Sequence, residues 1–490
     1  MPTSTDDMHG LERAWLRDRA TSREILDDRV RSTYNYALRL ATLKQIQDPD
    51  GHWVHISSIL TDYRQKLMEI MRSLAIQNPE FSTKAENGVG VLAWTGKWKR
   101  ITLVEAHPKI SELLENALDQ VTQHFPEMDI FTLERVLQQK RLVLALGGGG
   151  GTGYVHLCLF QWLEEHQIVP ALITGTSIGS LLGLLRAMQT HYDAAMTTLN
   201  LPGLWRLTRS LHPNLDPGEH GLVGMWHLDF NRVVESMIQS LGYTSTPMFR
   251  ELKIPFACVS TGIIRRDDIK TSVEYQPGNH SILSKLAQFS WKSALAHGTQ
   301  IASLVTSANA IREVVFGFDE LTQSMPVMDA VAFSSLVPGL LHYKVPRNHY
   351  KSREILDAVF KRDNLYRLTD GGLASNVPVR AAVRAIESGQ YGHENVYVLG
   401  MDVFAPQARD GIFYPLEQIA NNNAKIDARY ADAFFRPKDL LSPANMAPSL
   451  THLRWLNMRF KRAFQEEMKI IDYAMEPLKP LSLKDKTSKT

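Results

Sequence analysis

At 490 residues, with 44% hydrophobic and 22% charged residues, the chain exceeds one typical domain and can bury a sizeable core with appendages. Its formal net charge of +2 gives no reason to expect a nucleic-acid partner. No apolar run reaches the ~20 residues that cross a bilayer, and the polar first 20 residues lack the apolar stretch of a secretory signal. The expected location is therefore the cytoplasm or a membrane surface. The two cysteines, Cys158 and Cys258, both sit in apolar runs and are expected as buried thiols.

Residues 1–140 read as a mainly helical region. Stretches 11–43 and 56–76 space their apolar residues for helices of mixed charge. Residues 88–105 read as a β-hairpin: Val89, Val91, Ala93 and Trp94, a turn at Thr95-Gly96-Lys97, then Ile101, Leu103 and Val104. Residues 113–125 return to helix. The region is expected either to pack as a scaffold on the catalytic core or to bind a partner.

Residues 142–146 form an apolar run that reads as a buried parallel strand. Five glycines come next at 147–151, with Gly153 just beyond and a helix expected over 154–166. Glycines let a ligand approach the backbone closely, and the helix start adds unpaired N–H groups and a partial positive charge. Gly148, Gly150 and Gly153 satisfy the G-x-G-x-x-G dinucleotide pattern, but the next strand, 171–174, ends without the acidic residue that reading requires. A phosphate-binding loop would need Lys where Tyr154 stands. The remaining reading is a cradle for an oxyanion.

The second strand runs into Gly175-Thr176-Ser177-Ile178-Gly179, which fits G-x-S-x-G, with a helix expected over 180–188. A sharp strand-to-helix turn holds a serine Oγ clear of the sheet, and the flanking glycines avoid clashes. Further on, residues 268–325 form an insertion with helical spacing over 282–315, either a lid or acyl-chain wall, or a packing appendage. Leu368-Thr369-Asp370-Gly371-Gly372 then ends a short strand in a glycine turn where a carboxylate can reach inward. Residues 409–490 read as a helical C-terminal region with a polar tail. Helices are expected over 421–435 and 452–475, the second mixing Arg454, Arg459, Lys461 and Arg462 with Trp455, Phe460 and Phe464. That mixture suits an anionic membrane surface or a helix packing its aromatics on the core.

A serine hydroxyl needs a base. Among 17 histidines, His156 is the nearest to the glycine loop in sequence, but it sits in the first turn of a helix and is expected to bond locally. Asp370 is the stronger candidate. No metal-ligand spacing such as H-E-x-x-H or paired C-x-x-C is present.

The three motifs in this order, the glycine loop at 147–153, the elbow at 175–179 and the D-G-G turn at 370–372, resemble the patatin-like phospholipase family. Supporting stretches match at 221–224, 252–256, 260–262, 334–339 and 396–402, so the resemblance spans about 142–405. It implies a three-layer α/β/α core with a mainly parallel sheet over 141–408, extended by the helical N- and C-terminal regions. It implies a Ser177–Asp370 dyad, oxyanion donors at Gly148, Gly149 and Gly150, and supporting glycines Gly151, Gly153, Gly175, Gly179, Gly371 and Gly372. The implied chemistry needs no metal or cofactor. It would act on phospholipid or lysophospholipid esters at a membrane surface through an acyl-serine. A neutral acylglycerol lipase or transacylase would use the same site, and a lipid- or partner-binding protein without turnover would share the fold. One departure is Thr152, where many members of the family carry arginine.

Overall fold

A computed structural model of the protein describes residues 4–82, 90–193, 211–213, 219–222, 224–228, 238–265, 302, 310–390, 394–405, 414–437, 441–443, 445 and 448–481. The centre is a nine-stranded sheet. Its strands are β1 (Ala75–Ser82), β2 (Gly90–Trp98), β3 (Arg141–Leu146), β4 (Leu172–Thr176), β5 (Phe256–Ile264), β6 (Ile311–Phe316), β7 (Leu365–Thr369), β8 (Val396–Met401) and β9 (Ala433–Arg436). The spatial order is β6-β5-β4-β3-β8-β9-β2-β1, with β7 also paired to β5. The five central strands, β5 to β9 in that order, are parallel. The outer pairings are antiparallel.

Alternation along β3 shows why the core is layered. Leu142, Leu144 and Leu146 pack with Leu159, Phe160, Leu181 and Leu182, which belong to α6 (Val155–Glu165) and α7 (Ile178–Ala187) once the N-terminal helices are counted. Val143 and Ala145 point the other way, to Val379, Ala382 and Ala385, and to Ala424. Those residues lie on α10 (Val379–Glu387) and α11 (Tyr414–Asp427), counting α8 (Val327–Ser334) and α9 (Tyr350–Asp363) before them. A strand covered on both faces has no polar side to show, hence its unbroken apolar run. The expected α/β/α arrangement is present, with the parallel strands at its centre.

Before this core come α1 (Thr5–Thr21), α2 (Asp28–Thr42), α3 (Thr61–Leu74), α4 (Arg100–His124) and α5 (Ile130–Gln138). After it come α12 (Leu450–Ala463) and α13 (Gln465–Met475). The two ends of the chain are tied together. The buried Arg39 guanidinium on α2 donates to the carbonyls of Leu137, Gln138 and Ala474 at 2.7, 2.8 and 3.1 Å. Three acceptors at a planar fork satisfy a charge that would be costly to bury alone.

Four sequence expectations are corrected. Residues 88–105 are not a hairpin turning at Gly96. β2 runs on to Trp98 and pairs antiparallel with β1, and α4 then begins at Arg100. Gly96 is required by packing, since a Cβ there would meet the Trp98 ring at 2.7 Å. Ile101 and Val104 are exposed while Leu103 is buried, a helical and not an alternating pattern. Residues 311–316, read as the end of a helical insertion, form strand β6, with Val314 and Phe316 turned inward. The rest of the 282–315 segment lies outside the described residues, apart from 302 and 310. Residues 433–435, read as the end of a helix, are in strand β9, where all three are buried beside β8. The helix expected over 452–475 breaks at Phe464 into α12 and α13. The polar tail from 484 lies outside the described residues.

Candidate active site

Register on β5 explains how two distant turns meet. β4 runs parallel to β5 and ends with Thr176 opposite Val259. β7 runs antiparallel to β5 and ends with Thr369 opposite Thr261. Strand β6 fills the other edge of β5 along the same residues, so β4 and β7 share one edge and approach it from opposite directions. Their next residues are Ser177 and Asp370. The Ser177 hydroxyl lies close enough to the Asp370 carboxylate to pull its pKa down.

Ser177 stands between β4 and α7 with φ 53° and ψ −124°. A non-glycine residue at positive φ costs on the order of 1–3 kcal/mol and is held only where its surroundings fix it. Both sides of the residue are fixed. Its N–H donates to Ser334 Oγ at 2.8 Å, and that hydroxyl donates to the Val259 carbonyl at 2.5 Å. Its carbonyl accepts the Ser180 hydroxyl at 2.6 Å. Loss of the Ser334 hydroxyl should leave a buried N–H unmatched. We expect Ser334→Ala to lower stability by about 1–3 kcal/mol in denaturant titrations and to reduce turnover as the elbow loosens.

The elbow glycines serve close approach. A Cβ on Gly175 would meet the Gly179 carbonyl and Ser180 Cα at 2.6 Å, and one on Gly179 would run into the Leu146 and Gly147 carbonyls. Gly175→Ala should therefore cost about 1–3 kcal/mol as the helix is pushed from the strand, read as a lowered midpoint of chemical unfolding. Gly153 makes room in the same way for Ile178, and Gly371 for Val259 and Thr176.

Asp370 accepts the Gly372 N–H at 2.8 Å, and its own N–H donates to the Leu336 carbonyl at 2.9 Å. Burial withdraws water from its carboxylate and raises its pKa to about 6, while the Ser177 hydroxyl and Gly372 N–H pull it down. A carboxylate poised there can exchange a proton near neutral pH.

The glycine loop lies against the nucleophile position: a Cβ on Gly148 would meet Ser177 Cβ at 2.9 Å. The Gly148 N–H, expected as an oxyanion donor, instead donates to the Asn376 carbonyl at 3.2 Å. The Gly147 N–H goes to Met401 O (3.0 Å) and the Gly151 N–H to Pro443 O (2.8 Å). Among the described residues the Gly149 and Gly150 N–H groups have no protein acceptor. The buried Thr152 hydroxyl donates to Gly149 O at 2.8 Å, so the residue replacing the customary arginine pins the loop from within.

His156 is fully buried, and its Nε2 bonds the Gly147 carbonyl at 3.0 Å. Burial pushes its pKa down to about 4, so the ring is neutral and donates that bond. It supports the loop and makes no bond to Ser177. Asn376 and Asp402 also brace the site: Asn376 Nδ2 donates to Asp402 Oδ1 at 3.4 Å, and Asp402 pairs with Arg436 at 2.8 Å. The bracing roles of Ser334, Asn376 and Asp402 leave no spacing signal, because their partners are far away in sequence. Cys158 and Cys258 are free, buried thiols. Among the described residues one group has metal-like spacing, Asp48, Asp50 and His52, in the turn between the short strands Gln45–Gln47 and Trp53–His55. There the Asp48 carboxylate accepts the His52 N–H at 2.7 Å, an ordinary turn contact.

Residues 144–383 match the family model for patatin-like phospholipase, and the chain carries a domain of the patatin-like phospholipase family. Lysophospholipase NTE1 of Scheffersomyces stipitis is 48% identical over 83 residues, 16% of this chain and 5% of the relative. Lysophospholipase NTE1 of Eremothecium gossypii is 44% identical over 69 residues, 14% and 4%. Patatin-like phospholipase domain-containing protein 6 of Homo sapiens is 31% identical over 160 residues, 32% and 11%. The matched stretches thus span a small part of these much longer relatives. No helix among the described residues is long and apolar enough to cross a membrane.

Proposed function

We propose that the protein is a serine acyl hydrolase of lipid esters, with phospholipids or lysophospholipids as its substrates. The observation that carries this reading is the strained Ser177 at a strand–helix elbow, beside the half-buried, poorly hydrated Asp370 carboxylate. In this mechanism Ser177 Oγ attacks the ester carbonyl as Asp370 takes the hydroxyl proton. The N–H groups of Gly149 and Gly150 hold the tetrahedral oxyanion, each such donor contributing roughly 3 kcal/mol to the barrier reduction. Collapse breaks the ester C–O bond, and the proton on Asp370 passes to the departing alcohol. Water then attacks the acyl-serine, Asp370 accepts its proton, and that proton returns to Ser177 Oγ as the fatty acid leaves.

We take 141–408 as the catalytic unit, with the flanking regions as scaffold, since β1, β2 and β9 complete its sheet. The names of the matched relatives favour lysophospholipid as the first substrate to try. The test is fatty-acid release from lysophosphatidylcholine, diacyl phosphatidylcholine and triacylglycerol in parallel. Release from the first two ahead of the third is expected. Release from triacylglycerol alone would make the protein a neutral lipase, and folded protein that releases nothing from any of them would overturn the reading.

A further inference from the structure

Helix α12 has two unlike faces. Leu456 and Phe460 are buried, and Phe460 and Phe464 stack at 4.8 Å and reach Phe435 of β9. On the other side, Arg454, Trp455, Met458, Arg459 and Arg462 recur at helical spacing and share one exposed stripe. Met458 is 68% exposed, and Leu450 in the first turn 57%. The helix carries four basic residues and no acidic one. Lys461 is paired with Glu165 at 2.8 Å, and the Arg459 guanidinium lies over the Trp455 ring at 5.1 Å. Arg454 and Arg462 have no acidic partner among the described residues.

Large apolar side chains left in water beside guanidinium groups, on a helix anchored through its opposite face, suit an interface of lipid tails and anionic headgroups. Position adds to this. The chain entering α12 passes over the glycine loop: the Gly151 N–H donates to Pro443 O, and a Cβ at Gly151 would meet the Ser442 carbonyl at 2.5 Å. The helix therefore begins a few residues from the loop that carries the Gly149 and Gly150 N–H groups.

We propose that the exposed face of α12 docks the protein on an anionic lipid bilayer beside the Ser177 site, an inference whose use to the protein rests on the lipid-ester reading. Full-length protein is floated with vesicles of phosphatidylcholine alone and of phosphatidylcholine mixed with phosphatidylglycerol, at low and high salt. Binding to the anionic vesicles only, weakened by salt, is expected. Arg454→Gln with Arg462→Gln should weaken it on the order of twentyfold, roughly fivefold per arginine. Arg454→Lys with Arg462→Lys should retain it, and Trp455→Ala with Met458→Ala should weaken it. Thermal unfolding by circular dichroism confirms that each variant folds. Hydrolysis of a water-soluble short-chain ester should not change in any of them. No binding to anionic vesicles, equal binding to both kinds, or undiminished binding by the glutamine variant would overturn the proposal. So would a dimer that these substitutions dissociate, which would make a second copy the occupant. Docking without any ester hydrolysis would leave this surface standing and remove the enzymatic reading.

Discussion

Ser177→Ala is expected to cut fatty-acid release on the order of 10⁴-fold or more while the protein stays folded. The size reflects the hydroxyl's part in the proposed reaction: without it no acyl-enzyme forms, and only binding and the oxyanion donors remain. The fold should tolerate the change because the elbow is held by backbone contacts. The Ser177 N–H on Ser334 Oγ and the Ser177 carbonyl on Ser180 Oγ both survive the substitution. Alanine at φ 53° bears a strain similar to that of serine. Release that persists at a substantial fraction of the wild-type rate would place the nucleophile elsewhere.

Asp370→Asn should be nearly as damaging, on the order of 10³-fold to 10⁴-fold, since an amide cannot take the serine proton. The wild-type protein should lose activity as pH falls through about 6, where the poorly hydrated carboxylate protonates. Stability should move the opposite way. The folded Asp370 pKa lies above its ordinary value of 3.8, so between about 4 and 6 the folded chain holds a proton that the unfolded chain has released. Its contribution is therefore fully present below that window and is lost as pH rises through it. Asparagine carries no such charge, so the variant should be the more stable protein above pH 6, with the difference shrinking toward pH 4. Thermal unfolding across this range checks the sign. A variant less stable than wild type at pH 8 would mean that the carboxylate is better compensated than its burial indicates.

The residues proposed to do the chemistry leave a clearer trace in the sequence than the residues that hold them. Ser177 and Asp370 each close a short motif whose glycines are demanded by close backbone approach, and such demands leave a local trace. Ser334 sits 157 positions from the N–H it accepts, and nothing in its neighbourhood announces that partner. Gly148 shows the limit of a motif. Its lack of a side chain is required by Ser177 Cβ, as the elbow needs, yet its N–H is spent on Asn376, which only the tertiary fold decides.

The parallel centre of the sheet was readable because strands buried on both faces are unbroken apolar runs. Its last parallel strand, β9, and its antiparallel margin were not. Gly96 looked like a turn because turns and tight packing ask for the same residue, and here the Trp98 ring is the cause. β9 is four residues long and comes soon after a helix, so its Ala433, Phe434 and Phe435 continue a helical pattern in sequence. Pairing with β8 and β2 decides the matter, and neither neighbour is near it in the chain.

In the proposed mechanism Ser177 is a nucleophile activated by Asp370. The most direct measurement is covalent labelling with a fluorophosphonate, with the modified peptide located by mass spectrometry and the labelling rate followed against pH. The predicted result is a single adduct on Ser177, forming more slowly as pH falls through about 6 and almost absent in Asp370→Asn. An adduct on another residue, or labelling of Ser177 at full rate in Asp370→Asn, would contradict it.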